Sequence, residues 1–145
     1  ISLTYKKMPF LRIAPICNGK IYVAPRSYQG EEPGKLDIPM EDYIYACKTD
    51  TDKYAKEVEN KYSNHITGQP EPRFSLKHLV KETNGVKKII MLYILPLNDE
   101  EQIHFTGGKF VTPEEIEMNS AQYSSFLKEE VDHLNIVAQM WEEFK

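Results

Sequence analysis

Residues 36–63, LDIPMEDYIYACKTDTDKYAKEVENKYS, decide how the fold is read. Leu36-Asp37-Ile38-Pro39 has the form of a short strand closed by a proline, which cannot donate to a further ladder bond. An irregular stretch follows, and then a helix opened by Thr49 or Asp50, residue types whose side chains accept from the first free helical N–H groups. Along that helix Tyr54, Ala55, Val58 and Tyr62 recur at helical spacing and form one apolar face. Lys56, Glu57, Glu59, Asn60 and Lys61 are left for the other surfaces, and what they can hold decides the chemistry.

Upstream, residues 10–17 (FLRIAPIC) and 20–26 (KIYVAPR) flank Asn18-Gly19, two residues that tolerate positive φ, so the spacing predicts a β-hairpin. Pro15 and Pro25 push each strand's pairing toward an edge or a bulge. Residues 27–35, rich in Gly, Glu and Pro, read as a loop.

Downstream, a second hairpin is expected from Phe74–Lys81 and Val86–Leu97 about Asn84-Gly85. Its second arm is apolar without a break from Ile89 to Leu95, the pattern of a central strand covered on both faces, and a layered sheet with helices packed on it follows. Ile103–Thr106 is expected as one more strand, turning through Gly107-Gly108 into Lys109-Phe110-Val111. Thr112-Pro113-Glu114-Glu115 then opens a short helix with Thr at the N-cap, Pro at the first helical position and Glu115 closing a capping box. From Ser120 onward Phe126, Leu127, Val131, Leu134, Val137, Met140, Trp141 and Phe144 lie at helical spacing, a long amphipathic helix with one stripe against the sheet or, alternatively, forming a dimer or inter-domain seam.

At 145 residues the chain is long enough for one cored domain and short for two, so residues 1–145 are expected to form a single domain. A composition of 41% hydrophobic and 28% charged residues is that of an ordinary soluble globular protein. Net charge is −4 with the lysines dispersed, which disfavours nucleic acid as a main partner. The longest apolar run, Ile89 to Leu95, is far below the roughly 20 residues that cross a bilayer. Cys17 and Cys47 stand apart, without the clustering of a zinc site, and fit two buried thiols in a reducing cytoplasm. No secretory leader is visible, and a chain beginning at Ile1 is expected to be processed or to be a domain of a longer polypeptide.

No G-x-S-x-G, G-x-x-x-x-G-K or G-x-G-x-x-G occurs. His65, His78, His104 and His133 are scattered and read as packing or surface residues.

The hairpin ending Ile21-Tyr22-Val23-Ala24-Pro25-Arg26, the loop, Leu36-Asp37-Ile38-Pro39, the helix, the long central strand and Gly108-Lys109-Phe110-Val111-Thr112-Pro113-Glu114-Glu115-Ile116 together resemble the Nudix fold. The resemblance covers about residues 10 to 140 and implies an α/β (α+β) mixed sheet sandwiched between helices, with a long C-terminal amphipathic helix. The family's signature is Gly, five residues, Glu, seven residues, then Arg-Glu-U-x-Glu-Glu-x-Gly-U, with U a bulky aliphatic. Setting U on Val58 puts Lys56 at the arginine, Glu57 at the first glutamate, Asn60 and Lys61 at the two later glutamates and Ser63 at the glycine, while Met40 and Glu41 replace the paired glycines after Pro39.

Most of the signature is therefore replaced. Hydrolysis of a diphosphate in this family needs a divalent metal held by carboxylates, and here a neutral amide and a cation stand at two of those positions. The resemblance then implies no catalytic residue, no metal ligand and no cofactor, with the ancestral pocket still binding a nucleotide or sugar phosphate through Arg26, Glu41, Lys56, Glu57 and Lys61. Such a domain would sense a ligand or regulate a fused or interacting partner such as an enzyme, a transcription factor or a membrane transporter. The alternative is an active pyrophosphohydrolase holding Mg2+ or Mn2+ through acids from elsewhere, Glu41, Asp42, Glu57, Glu59 or Glu115. A third reading is an interaction module built on the C-terminal helix, a homodimer among its forms, with Tyr28, Tyr43 and Tyr45 as exposed aromatics.

Overall fold

A computed structural model of the chain describes residues 10–43, 50–81 and 87–145. Strands β1 (Phe10–Cys17) and β2 (Lys20–Pro25) form the expected hairpin, with Cys17 opposite Lys20 and positive φ at Asn18 (55°) and Gly19 (74°). Strand β3 (Leu36–Asp37) pairs with β2, and the stretch read as irregular contains a further strand, β4 (Met40–Tyr43), antiparallel to β1. Pro39 does end β3, yet the chain resumes pairing one residue later on a different neighbour, which a breaker signal alone does not reveal.

Helix α1 (Thr51–Lys61) follows, N-capped by Asp50, whose carboxylate accepts from the Lys53 N–H; Thr49 lies outside the described residues. Strands β5 (Arg73–Lys81) and β6 (Lys87–Pro96) pair antiparallel with a bulge between Phe74 and Leu76, and their Asn84-Gly85 connection also lies outside. After β7 (Lys109–Val111), helix α2 (Pro113–Met118) opens on Thr112 as read, its hydroxyl accepting from the Glu115 N–H. Helix α3 (Ser125–Glu143) begins later than read, because Ser120–Gln122 form a separate 3₁₀ turn, Tyr123 is extended and Ser124 is the N-cap.

The sheet runs β3-β2-β1-β6-β5, with β4 on β1 and β7 on β2. β1 is therefore interior, so of the edge or bulge read from its proline the edge does not apply. Pro15 falls between the β4 pairing of residues 10–13 and the β2 pairing of residues 16 and 17, where no ladder bond on that side is needed from it. β6 is the central strand that its apolar run implied, parallel to β1 and antiparallel to β5. Ile103–Thr106 form no strand; Ile103 makes a single bridge to Ile66 before Gly107 turns the chain at φ 74°.

Alternation along the strands divides the core. Ala14, Ile16, Ile21, Val23, Leu92 and Ile94 face α2 and α3, meeting Ile116, Leu127, Val131 and Leu134. Leu11, Ile13, Tyr22, Tyr93 and Leu95 face α1, meeting Ala55 and Val58. Cys17 is buried in this second layer, and burial raises its thiol pKa; Cys47 lies outside the described residues. Each stripe buries ring and aliphatic surface worth about 1.5–3 kcal/mol per fully buried large side chain. No helix among the described residues is long and apolar enough to cross a membrane.

Candidate ligand cleft

Strand β1 is buried along its whole length, and one of its inward residues is an arginine. Arg12 has no exposed surface and lies on the α3 face, above the Phe126 ring at 5.2 Å. Three carboxylates surround it. Asp37 of β3 accepts in bidentate fashion at 2.7 and 3.1 Å, Glu41, directly opposite on β4, accepts at 2.7 Å, and buried Glu130 of α3 accepts from Nε and Nη2 at 2.8–3.1 Å. Burial works against the Arg12 charge, but the carboxylates outweigh it and raise its pKa well above the usual value. His78 of β5 closes the far end, its Nε2 3.0 Å from Glu130.

Arg26, at the end of β2, joins the same cluster through Asp37 at 2.5 Å and Glu41 at 3.0 Å, while its Nε donates to the Glu31 carbonyl at 2.7 Å. The two acids are driven apart. Burial alone would raise Asp37, yet Arg12 and Arg26 overcome it and hold it below the usual range. For Glu41 burial, reinforced by the Asp37 charge, outweighs both guanidiniums and leaves its carboxyl raised.

Beside this cluster opens a cleft of about 520 Å³, lined by Arg26, Asp37 and Glu41 together with Tyr62, His65 and Phe105. His65 stacks on Phe105 with centroids 4.0 Å apart and planes 8° apart, and Tyr62 leans on Phe105 at 5.8 Å. Phe105 is fixed by Tyr22, whose hydroxyl accepts its N–H at 2.8 Å. Gly108 is required there, since a Cβ would stand 2.0 Å from the Tyr22 hydroxyl.

Of the residues proposed from sequence, Arg26 and Glu41 meet in this cleft. The others lie elsewhere. Lys56 lines a separate pocket with Glu59, to which it donates at 3.2 Å, and Glu59 is buried rather than solvated. Glu57 is exposed, and Lys61 is ion-paired with Asp42 of β4. Arg12, Asp37, Glu130, His65 and Phe105 were not singled out by sequence reading. Arg12 was visible as a charge inside an apolar strand, and Glu130 as an acid on the Phe126, Leu127, Leu134 stripe. Nothing local marks His65 and Phe105, which meet only through the fold.

No protein-family model matches the sequence, and no curated protein does. Solved structures do resemble the fold. The DR0079 protein of Deinococcus radiodurans matches with a TM-score of 0.66 at 16% identity, over 89% of this chain and 83% of that one. A Nudix hydrolase from Nitrosomonas europaea matches at 0.62 and 11% identity, over 91% and 90%. The C-terminal domain of mouse MUTYH, crystallised in complex with human PCNA, matches at 0.57 and 14% identity, over 95% and 89%. The chain therefore has a Nudix-like fold, an α+β arrangement with a mixed sheet between helices.

Hydrolases of this fold typically depend on a divalent metal, and the residues here do not fit one. Such an ion needs several free carboxylate oxygens. On α1, Asn60 is neutral and Lys61 cationic, while Asp37, Glu41 and Glu130 are engaged by two guanidiniums. Among the described residues no three His, Cys, Asp or Glu side chains converge on a metal position.

Proposed function

We propose that this chain is a Nudix-fold domain without pyrophosphohydrolase activity that binds a nucleotide or related heterocyclic ligand in the cleft and serves a regulatory role. The observation that carries this reading is the presence of polar groups, Arg26 and Glu41, and an aromatic pair, Phe105 and His65, around one volume suited to a small ligand. The replaced helix positions support the loss of hydrolysis, since a cation at Lys61 repels a metal where the family would hold one. A single domain serving a larger cytoplasmic protein, fused to an enzyme, a transcription factor or a transporter, is the setting that suits it.

Calorimetric titration with ADP-ribose and common nucleotides tests the reading: binding without turnover is expected. Absence of binding at millimolar ligand would sink it. Release of phosphate or nucleoside monophosphate with magnesium or manganese, lost in Glu57→Gln, would instead favour the active hydrolase. A second reading, contact with a protein partner or a second copy, draws on Ile136, Met140 and Phe144, exposed at i, i+4 and i+8 of α3, and on the partner-bound state of the MUTYH domain. Sedimentation at two concentrations tests the self-association form; a concentration-independent monomer argues against it.

A further inference from the structure

Among the described residues, the cations that a phosphate would need are engaged or lie away from the cleft. All five N–H groups of Arg12 donate to Asp37, Glu41 and Glu130. Lys56 lines the second pocket, within 3.2–3.7 Å of Glu59, the Pro70 carbonyl and Glu71, and Lys61 is paired with Asp42. Among the described residues lining the cleft, Arg26 is the sole lysine or arginine, facing two carboxylates.

Arg26 keeps one free end. Its Nε and Nη1 are engaged, whereas Nη2 has no partner among the described residues. No buried side-chain nitrogen or oxygen among those residues lacks a partner, so Nη2 is reached by solvent. The formal charges of the two arginines, Arg12 and Arg26, against the three carboxylates, Asp37, Glu41 and Glu130, sum to −1. Each phosphate added to a ligand therefore brings negative charge toward a floor that is already negative and has two N–H groups to offer. A ring with both donor and acceptor atoms on its edge suits the same floor, with its face against Phe105, His65 or Tyr62.

We infer that the cleft selects the unphosphorylated part of its ligand, a planar heterocycle or its nucleoside, and gains nothing from phosphates. Arg26 Nη2 donates to a ring carbonyl or ring nitrogen, Glu41 accepts a ring or amino N–H, and any phosphate stays in solvent. This rests on the ligand-binding reading above and fixes the chemical class for that site. The raised carboxyl of Glu41 agrees with it, being the sign of burial beside a second negative charge.

The experiment is calorimetric titration of the full chain with matched series, adenosine, AMP and ADP, and likewise guanosine and uridine with their 5′-phosphates. In at least one series the nucleoside is expected to bind as tightly as its phosphates or tighter, by about two- to tenfold per phosphate, the scale of a partly screened charge a few ångströms away. In that series salt is expected to leave the nucleoside's affinity unchanged. Affinity that climbs with each phosphate in every series that binds would overturn the inference and leave the ligand-binding reading standing. If no member of any series binds at millimolar concentration, both are overturned. Phe105→Ala, tested beside the wild type, is expected to weaken the binding nucleosides about tenfold or more, and an unchanged affinity would remove the cleft as their site. Should that variant not fold, the wild-type series decides alone.

Discussion

The charged cluster beneath the cleft and the polar surface of α1 contain similar residues and behave oppositely. In the cluster, Arg12, Asp37 and Glu130 are sealed from water, and every guanidinium N–H of Arg12 has a carboxylate. On α1, Glu57, Asn60 and Lys61 are exposed, and Lys61 makes an ion pair with Asp42 in reach of solvent. Desolvation separates the two. A charge held out of water must be answered by specific partners and so fixes geometry, whereas an exposed charge is answered by water and fixes little. Motif comparison points to α1, but the geometry that can hold a ligand belongs to the strands over the buried cluster.

Substitutions can break this contrast, in order of expected size. Arg12→Met is expected to destabilise the fold by about 3–5 kcal/mol in a denaturant titration, because it leaves buried Glu130 without a guanidinium and Asp37 and Glu41 with Arg26 alone. A loss under about 0.5 kcal/mol would mean that the cluster is not what holds β1, β3, β4 and α3 together. Gly108→Ala drives a methyl into the buried Tyr22 hydroxyl and is expected to cost about 1–3 kcal/mol. Through the Tyr22–Phe105 hydrogen bond it should also weaken ligand binding.

Acid separates the two carboxylates within the cluster. The pKa of Asp37 is depressed in the fold, so its stabilisation is complete above the unfolded value near 3.8 and is lost as pH falls through the lower folded value. That of Glu41 is raised, so ionising it weakens the fold, and this cost disappears as pH falls through its folded value toward 4.5. Urea midpoints between pH 6 and pH 2 are expected to fall in the most acidic part of the range. Asp37→Asn should lower the midpoint at pH 6 and flatten that acid limb. The smallest effect belongs to α1, where Glu57→Gln is expected to change stability by less than about 0.5 kcal/mol and to leave ligand affinity unchanged.

Much of the fold was legible because it rests on local chemistry. Asn18-Gly19 set the hairpin turn, the unbroken run from Ile89 to Leu95 marked the central strand, and Thr112-Pro113 opened α2. Strand β4 was not legible, because Met40–Tyr43 carry two acids whose partners, Arg12 and Lys61, lie far along the chain. The same reason limits the site. Arg26 and Glu41 could be named from sequence, but the cluster they join also needs buried Arg12 and Asp37 from other strands, and the aromatic wall needs Phe105 brought to His65 by the bridge of Ile103 to Ile66 and the bond from the His104 N–H to the His65 carbonyl. A motif search weighs positions along one helix, and here the cluster is assembled from β1, β3 and β4, from Arg26 just past β2, and from the opposite helix.

The central claim is that ligand is held in the cleft and not by a metal on α1. Calorimetric titration of the tightest-binding nucleoside or nucleotide, in EDTA and again in magnesium, measures it most directly when run on the wild type, Phe105→Ala and Glu57→Gln. The expected result is one affinity in both buffers, weakened about tenfold or more by Phe105→Ala and indifferent to Glu57→Gln. Binding that requires magnesium and disappears in Glu57→Gln would contradict the account and return the function to the helix.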